Sequence, residues 1–242
     1  MKSILPSLPS LLAALVFLLA AAPASADLAN DEYLIVSGGP ALRKWEDLRP
    51  PHHQHDRWWG NFVRTARIRM EQLRALPNGE RINITWMVYR PGYVGRSAEE
   101  GRSLTELIHS VRDKFRIKLV WFHSGDDVID YLNHGMNRRV HKLSGFEFYG
   151  HSNRSCFMFD YSCDIIGVSS AYLHENDLSK IRGGLFAPNA HVQSYGCHTG
   201  ESMSAHWKRA TGTTMIGAIG KTDYSYSYQN TLPVINQGHW AR

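Results

Sequence analysis

Two short runs limit this chain most: Phe146-Glu147-Phe148-Tyr149 and Val192-Gln193-Ser194-Tyr195. Each is aromatic or apolar and reads as a buried strand. Each stops at a glycine, Gly150 or Gly196, and a group able to do chemistry follows at once, His151 or Cys197. In a parallel α/β sheet, ligands bind at the carboxyl ends of the strands. Side by side in such a sheet, the two strands would bring His151 and Cys197 out at one edge. Their separation of 46 positions leaves room for the helical crossover that parallel neighbours need. A thiol and an imidazole held together form an activated nucleophile and its base.

The rest of the chain repeats the pattern. Strands are predicted at Tyr33 to Val36, Ile82 to Tyr89, Leu119 to Phe122 and Met215 to Ile219, which with the first two makes six. Between them, Trp58 to Leu76 carries apolar residues at helical spacing. Ser97 is expected to cap a helix reaching about Phe115, and Ser124 one that runs through Leu132 and stops near Gly135. Asn176 or Asp177 is expected to cap a short turn, and Glu201 to Ala210 reads as a helix. From Thr222 on, the tyrosine-rich stretch reads as a surface loop. This alternation predicts an α/β fold, a three-layer sandwich around a mainly parallel sheet of about six strands.

The first 26 residues read differently. Met1-Lys2, an apolar run from Leu11 to Ala22 and Ala24-Ser25-Ala26 have the form of a secretory signal peptide. A mature chain of residues 27–242, one domain in the secreted or periplasmic space, is the expectation. No other stretch is apolar for long enough to span a membrane, so no membrane association is expected after cleavage. The net charge is +5, but the basic residues are scattered, as in Arg64, Arg67, Arg69 and Arg74, and no dense run forms. That argues against a nucleic-acid partner. Cys156 and Cys163 are close enough to close a small loop, leaving Cys197 as the odd, reactive thiol. The alternative is three reduced cysteines.

A strand ending at a histidine, then a later strand ending at a cysteine followed by x-x-Gly, resembles the caspase-like cysteine peptidases. That clan includes caspases, legumains, gingipains and clostripain. The carrying residues are Phe148-Tyr149-Gly150-His151 and Ser194-Tyr195-Gly196-Cys197-His198-Thr199-Gly200. Those families usually place a glycine directly after the histidine, whereas here Ser152 follows. The resemblance implies a thiol-dependent peptide hydrolase acting on a peptide or protein substrate without a cofactor. Cys197 would be the nucleophile and His151 the general acid and base. Backbone N–H groups at Cys197, Ser152 or Asn153 would hold the oxyanion, with Gly196 allowing close approach. Segments His198 to Ser202 and Lys221 to Tyr228 would wall the pocket for the side chain before the scissile bond. Glu201 or Asp223 there would favour Arg or Lys, and Lys221 an acidic residue.

Three other readings stand beside this one. The domain could keep the scaffold as a binding module without catalysis. Gly150-His151-Ser152-Asn153-Arg154 begins like the G-x-S-x-G elbow of α/β-hydrolases, with Ser152 as nucleophile and Asp223 and His239 as partners, although Arg154 replaces the last glycine. His52-His53-Gln54-His55-Asp56 is either a metal-binding cluster or a flexible loop beside Pro50 and Pro51; its spacing matches no specific site, so no metal is assigned.

Overall fold

The computed structural model describes residues 30–51, 54–161 and 170–242. The leader-like stretch, His52, His53 and Cys163 lie outside them, so the expected Cys156–Cys163 pair does too; among the described residues Cys156 and Cys197 form no disulfide.

The chain opens with β1 (Glu32–Ser37), a single helical turn α1 (Arg43–Glu46) and α2 (Asn61–Arg74). Then come β2 (Asn83–Tyr89), α3 (Arg90–Glu100), α4 (Leu104–Phe115), β3 (Lys118–Phe122) and α5 (Gly125–His134). β4 (Leu143–Tyr149) leads into three short strands, β5 (His151–Ser152), β6 (Cys156–Met158) and β7 (Tyr172–His174), which form a small antiparallel sheet. β8 (Phe186–Ser194), α6 (Met203–Thr211), β9 (Gly217–Asp223) and β10 (Val234–Ala241) complete it.

The central sheet has five parallel strands in the order β3-β2-β1-β4-β8. β1 and β4 are buried along their whole length, as strands covered on both faces must be. On one face, Leu34, Val36, Phe146 and Phe148 pack with Leu132 of α5 and Trp207 of α6. On the other, Ile35, Trp86, Tyr149 and Tyr195 pack with Phe62 and Met70 of α2 and Ile108 of α4. The three layers agree with the sequence pattern. The strand order reverses between β1 and β4, and that reversal marks where α/β sheets bind ligands.

The sheet has five strands, not six. The stretch expected to be the sixth touches β8 through one parallel bridge, Ile216 to Gln193, and then leaves as β9 to pair antiparallel with β10. Gly220 and Gly238 face each other in that ribbon with φ of +94° and +110°. A Cβ on either would meet the opposing carbonyl at 1.9 or 1.8 Å. Only glycine permits this approach, so the ribbon, not the sheet, takes the strand.

The helix boundaries also differ around Ser97. Ser97 is not an N-cap residue but lies inside α3, which starts earlier and ends at Gly101 with φ +62°; its Oγ accepts the N–H of Leu104, the first residue of α4, whose N-cap is Ser103, accepting the N–H of Glu106. α5 has the expected start and stop, with a reciprocal capping box between Ser124 and Asp127 and Gly135 at its end. Among the described residues no helix is long and apolar enough to cross a membrane.

Candidate functional site

Register places the two chemical groups. Phe148 of β4 pairs with Ser194 of β8, and His151 and Cys197 each lie three residues further on. Neighbouring strands run about 4.8 Å apart. The N–H of Tyr195 donates to Phe148 O at 2.9 Å, and beyond it the two chains stay in contact. Ser152 Oγ donates to Cys197 O at 2.7 Å. A Cβ on Gly196 would lie 2.1 Å from that Oγ, so the side chain that follows His151 occupies the space glycine leaves beside Cys197.

The strand ends are held by a buried polar cluster. Arg69 of α2 donates from Nε to Glu147 Oε2 at 2.8 Å, has Nη2 at ion-pair distance from Oε1, 2.8 Å, and also donates from Nη2 to Tyr195 Oη at 3.0 Å. Tyr149 Oη donates to Glu147, and the Tyr149 and Tyr195 rings stack at 4.9 Å. His191 Nε2 stands 3.1 Å from Glu147 Oε1 without the alignment of a hydrogen bond. Burial alone would raise the Glu147 carboxyl, but His191, Arg69 and Tyr149 together hold it below the usual range.

His151 has a partner that sequence reasoning missed. Its Nε2 lies 2.5 Å from Asp56 Oδ2, and Asp56 is 1 % exposed. Asp56 also accepts the N–H of Ala41 at 2.7 Å, and its own N–H donates to Glu46 Oε2 at 2.8 Å. Arg96, fully buried on α3, donates to Ala41 O, Asp56 O and Arg57 O, fixing the whole loop. Burial would raise the Asp56 carboxyl; His151, then the Ala41 N–H and Arg96, keep it below its ordinary value. A carboxylate on Nε2 keeps the proton of a neutral imidazole there and leaves Nδ1 as the free base. The ring lies between Phe62, edge-on at 5.1 Å, and Tyr161, stacked at 4.6 Å. Asp56, which the sequence groups with the histidines before it, thus turns inward; among the described residues no three metal-type side chains cluster.

Cys197 is held differently. The N–H of Thr222 points to Sγ at 3.5 Å and Thr222 Oγ1 lies 3.4 Å from it. Sγ and the His151 ring share no hydrogen bond. α6 starts at Met203 rather than Glu201, so a turn separates the thiol from the helix N-terminus. Thr222, not the helix end, is the polar neighbour of Sγ. His198, next after Cys197, has φ +63°, a conformation that non-glycine residues seldom adopt. Tyr224 joins the two halves: its hydroxyl accepts the Gly150 N–H at 3.2 Å and donates to Tyr195 O at 3.1 Å, while its ring meets Phe62 at 5.2 Å. Burial pushes the Tyr224 phenol well up, so it keeps its proton.

The expected oxyanion donors are unequal. The N–H of Asn153 is used by Cys156 O and that of Gly196 by Ser194 Oγ, whereas the N–H of Cys197 donates to no described group. Of the carboxylates expected near a substrate pocket, Glu201 accepts from His198 Nδ1 at 2.6 Å and from the N–H of Gly220, and Asp223 Oδ1 accepts the N–H of Ser225. The His198 contact holds the Glu201 carboxyl below its usual range. Lys221 is exposed. Asp223 and His239 make no hydrogen bond to Ser152; His239 lies on β10 in the outer ribbon.

Compared with known proteins, the chain matches no family model, no curated protein and no solved structure.

Proposed function

We propose that the chain is a thiol-dependent peptide hydrolase of the caspase-like kind, with Cys197 as nucleophile and His151 as general base. One observation carries this reading: His151 and Cys197 sit at equal offsets past a paired register on neighbouring parallel strands, and a buried carboxylate already holds the Nε2 side of the imidazole. Nδ1 takes the thiol proton, directly or through a water, as Sγ attacks the peptide carbonyl. The N–H of Cys197, which donates to no described group, meets the oxyanion. The protonated imidazole returns its proton to the leaving amine, and water then cleaves the thioester. Asp56 touches no substrate; it positions His151 and stabilises the imidazolium. A basic residue before the scissile bond fits the second oxygens of Asp223 and Glu201.

The test is covalent labelling by an acyloxymethyl-ketone peptide, with hydrolysis of a fluorogenic panel bearing Arg, Lys, Asp or Asn before the scissile bond. Labelling and turnover are expected in the wild type, absent in Cys197→Ala and strongly reduced in His151→Ala, with Arg and Lys substrates preferred. Labelling that persists in Cys197→Ala would end the proposal. A folded wild type that neither labels nor turns over would leave the binding-module reading in its place.

A further inference from the structure

A cleft of about 520 Å³ opens at the amino ends of β4 and β8, the far end of the strands that carry His151 and Cys197. Arg138, Arg139, Lys142, Arg182, Gly183 and Gly184 line it, together with His134 and neutral residues, and no Asp or Glu does. The cations are not equally free. Arg138 is buried and spent on Glu32 and on the carbonyls of Tyr131 and Leu132. His134 leans on Asp130 at 2.8 Å. Arg139 and Arg182 are exposed, and their guanidinium groups bond to no described group. Lys142 Nζ donates to Gly184 O and keeps its other N–H groups.

The backbone adds donors. The N–H groups of Gly183 and Gly184 bond to no described group, and Gly184 has φ +72°. Successive free N–H groups beside a left-handed residue form a small anion-binding hollow. A Cβ at either glycine would meet nothing within 4 Å, so the floor is open. Planar guanidinium forks match phosphate oxygens in pairs. The volume suits a small molecule.

We propose that this cleft binds a small soluble anion of the phosphate-monoester or diphosphate class, with two or three negative charges. Arg139, Arg182, Lys142 and the N–H groups of Gly183 and Gly184 would hold it. Two unpaired guanidinium groups and the Lys142 ammonium, with no carboxylate among them, set that charge. A nucleic acid would need a basic stripe reaching beyond one cleft. The site stands independently of any role for Cys197.

Calorimetric titration of the full chain with inorganic pyrophosphate at low, constant ionic strength tests it. Saturable binding at one site is expected in the wild type and, with the same affinity, in Cys197→Ala. Arg139→Ala with Arg182→Ala should weaken it about tenfold or more, the loss of two charge-assisted contacts; Arg182→Lys should fall between. Orthophosphate should bind more weakly than pyrophosphate, and acetate not measurably. Equal affinity in the double variant would overturn the proposal, as would no saturable binding to a wild type whose circular dichroism shows it folded.

Discussion

At the carboxyl ends of β4 and β8 the polar side chains are bonded to one another, whereas at the amino ends of the same strands several are not. Past Tyr149 and Tyr195, Asp56 holds His151, Thr222 holds Cys197, and Ser152 is tied across to Cys197 O. Beneath them Glu147 is shared between Arg69 and Tyr149. At the other end of β4, about 20 Å away at roughly 3.3 Å per residue, Arg139 and Arg182 have no described partner. Groups that must keep one geometry are fastened from several sides. Groups that would meet a mobile anion are left in solvent, where an unpaired charge costs little.

That contrast is first broken by removing one arginine from each end. Arg69→Ala strands the fully buried Glu147 carboxylate. Breaking a buried pair on one side costs about 3–5 kcal/mol, so the urea midpoint should fall sharply. Arg182→Ala, an exposed side chain without a described partner, should leave the midpoint near the wild-type value. Equal losses at both ends would remove the distinction.

Asp56→Ala should come next, with its effect on reactivity. Without the carboxylate, nothing fixes the imidazole tautomer or stabilises the imidazolium. Peptide turnover should drop by about 100- to 10,000-fold, the scale of positioned proton transfer. The pH dependence of stability provides a second readout. Asp56 has a depressed folded value, so its ionised form contributes stability that is fully present above the unfolded value of about 3.9. That contribution is lost as pH falls through the folded value. Asp56→Asn should therefore flatten the acid limb of the urea midpoint against pH. An unchanged limb would mean that the His151 contact adds nothing to folding.

Gly196→Ala tests the contact between the strand ends. The new Cβ would meet Ser152 Oγ at 2.1 Å and Ser152 Cβ at 2.7 Å. Overpacking of this kind costs about 1–3 kcal/mol. Ser152→Gly alone should be mild, and combined with Gly196→Ala it should restore most of the loss. Additive losses in the double variant would show that the two residues do not meet.

What the sequence discloses follows from how local each signal is. Phe148-Tyr149-Gly150-His151 and Tyr195-Gly196-Cys197 are legible because an apolar run and a breaking glycine are both local. Asp56 is not: its role depends on an imidazole 95 positions away, and locally it resembles the tail of a histidine-rich loop. The sixth strand fails for a related reason. Met215 to Ile219 has strand character, but its choice between β8 and β10 is decided by Gly220 meeting Gly238 across the ribbon. Ser97 and Ser103 each precede glutamates at capping distance; the one that caps is set by where Gly101 ends α3. Thr222 carried no signal at all, since it lies beyond the strand in what reads as a loop.

Thr222 therefore offers the smallest and finest test. Three of its atoms face Sγ: the N–H at 3.5 Å, Oγ1 at 3.4 Å and the carbonyl oxygen, which accepts from the thiol, at 4.0 Å. Thr222→Val keeps the shape and the N–H but removes the hydroxyl, which can donate to a thiolate. One such hydrogen bond contributes about 0.5–1.5 kcal/mol, so iodoacetamide alkylation of Cys197 at neutral pH should slow by about two- to tenfold. Its pH–rate profile should move to higher pH, because the thiolate has lost a donor. Thr222→Ser, which keeps the hydroxyl, should retain the wild-type profile. A purely structural role would lower the unfolding midpoint in the Val variant and leave the profile where it was. If Ser and Val shift the profile equally, the hydroxyl has no part in holding the thiolate, and the N–H alone makes the contact.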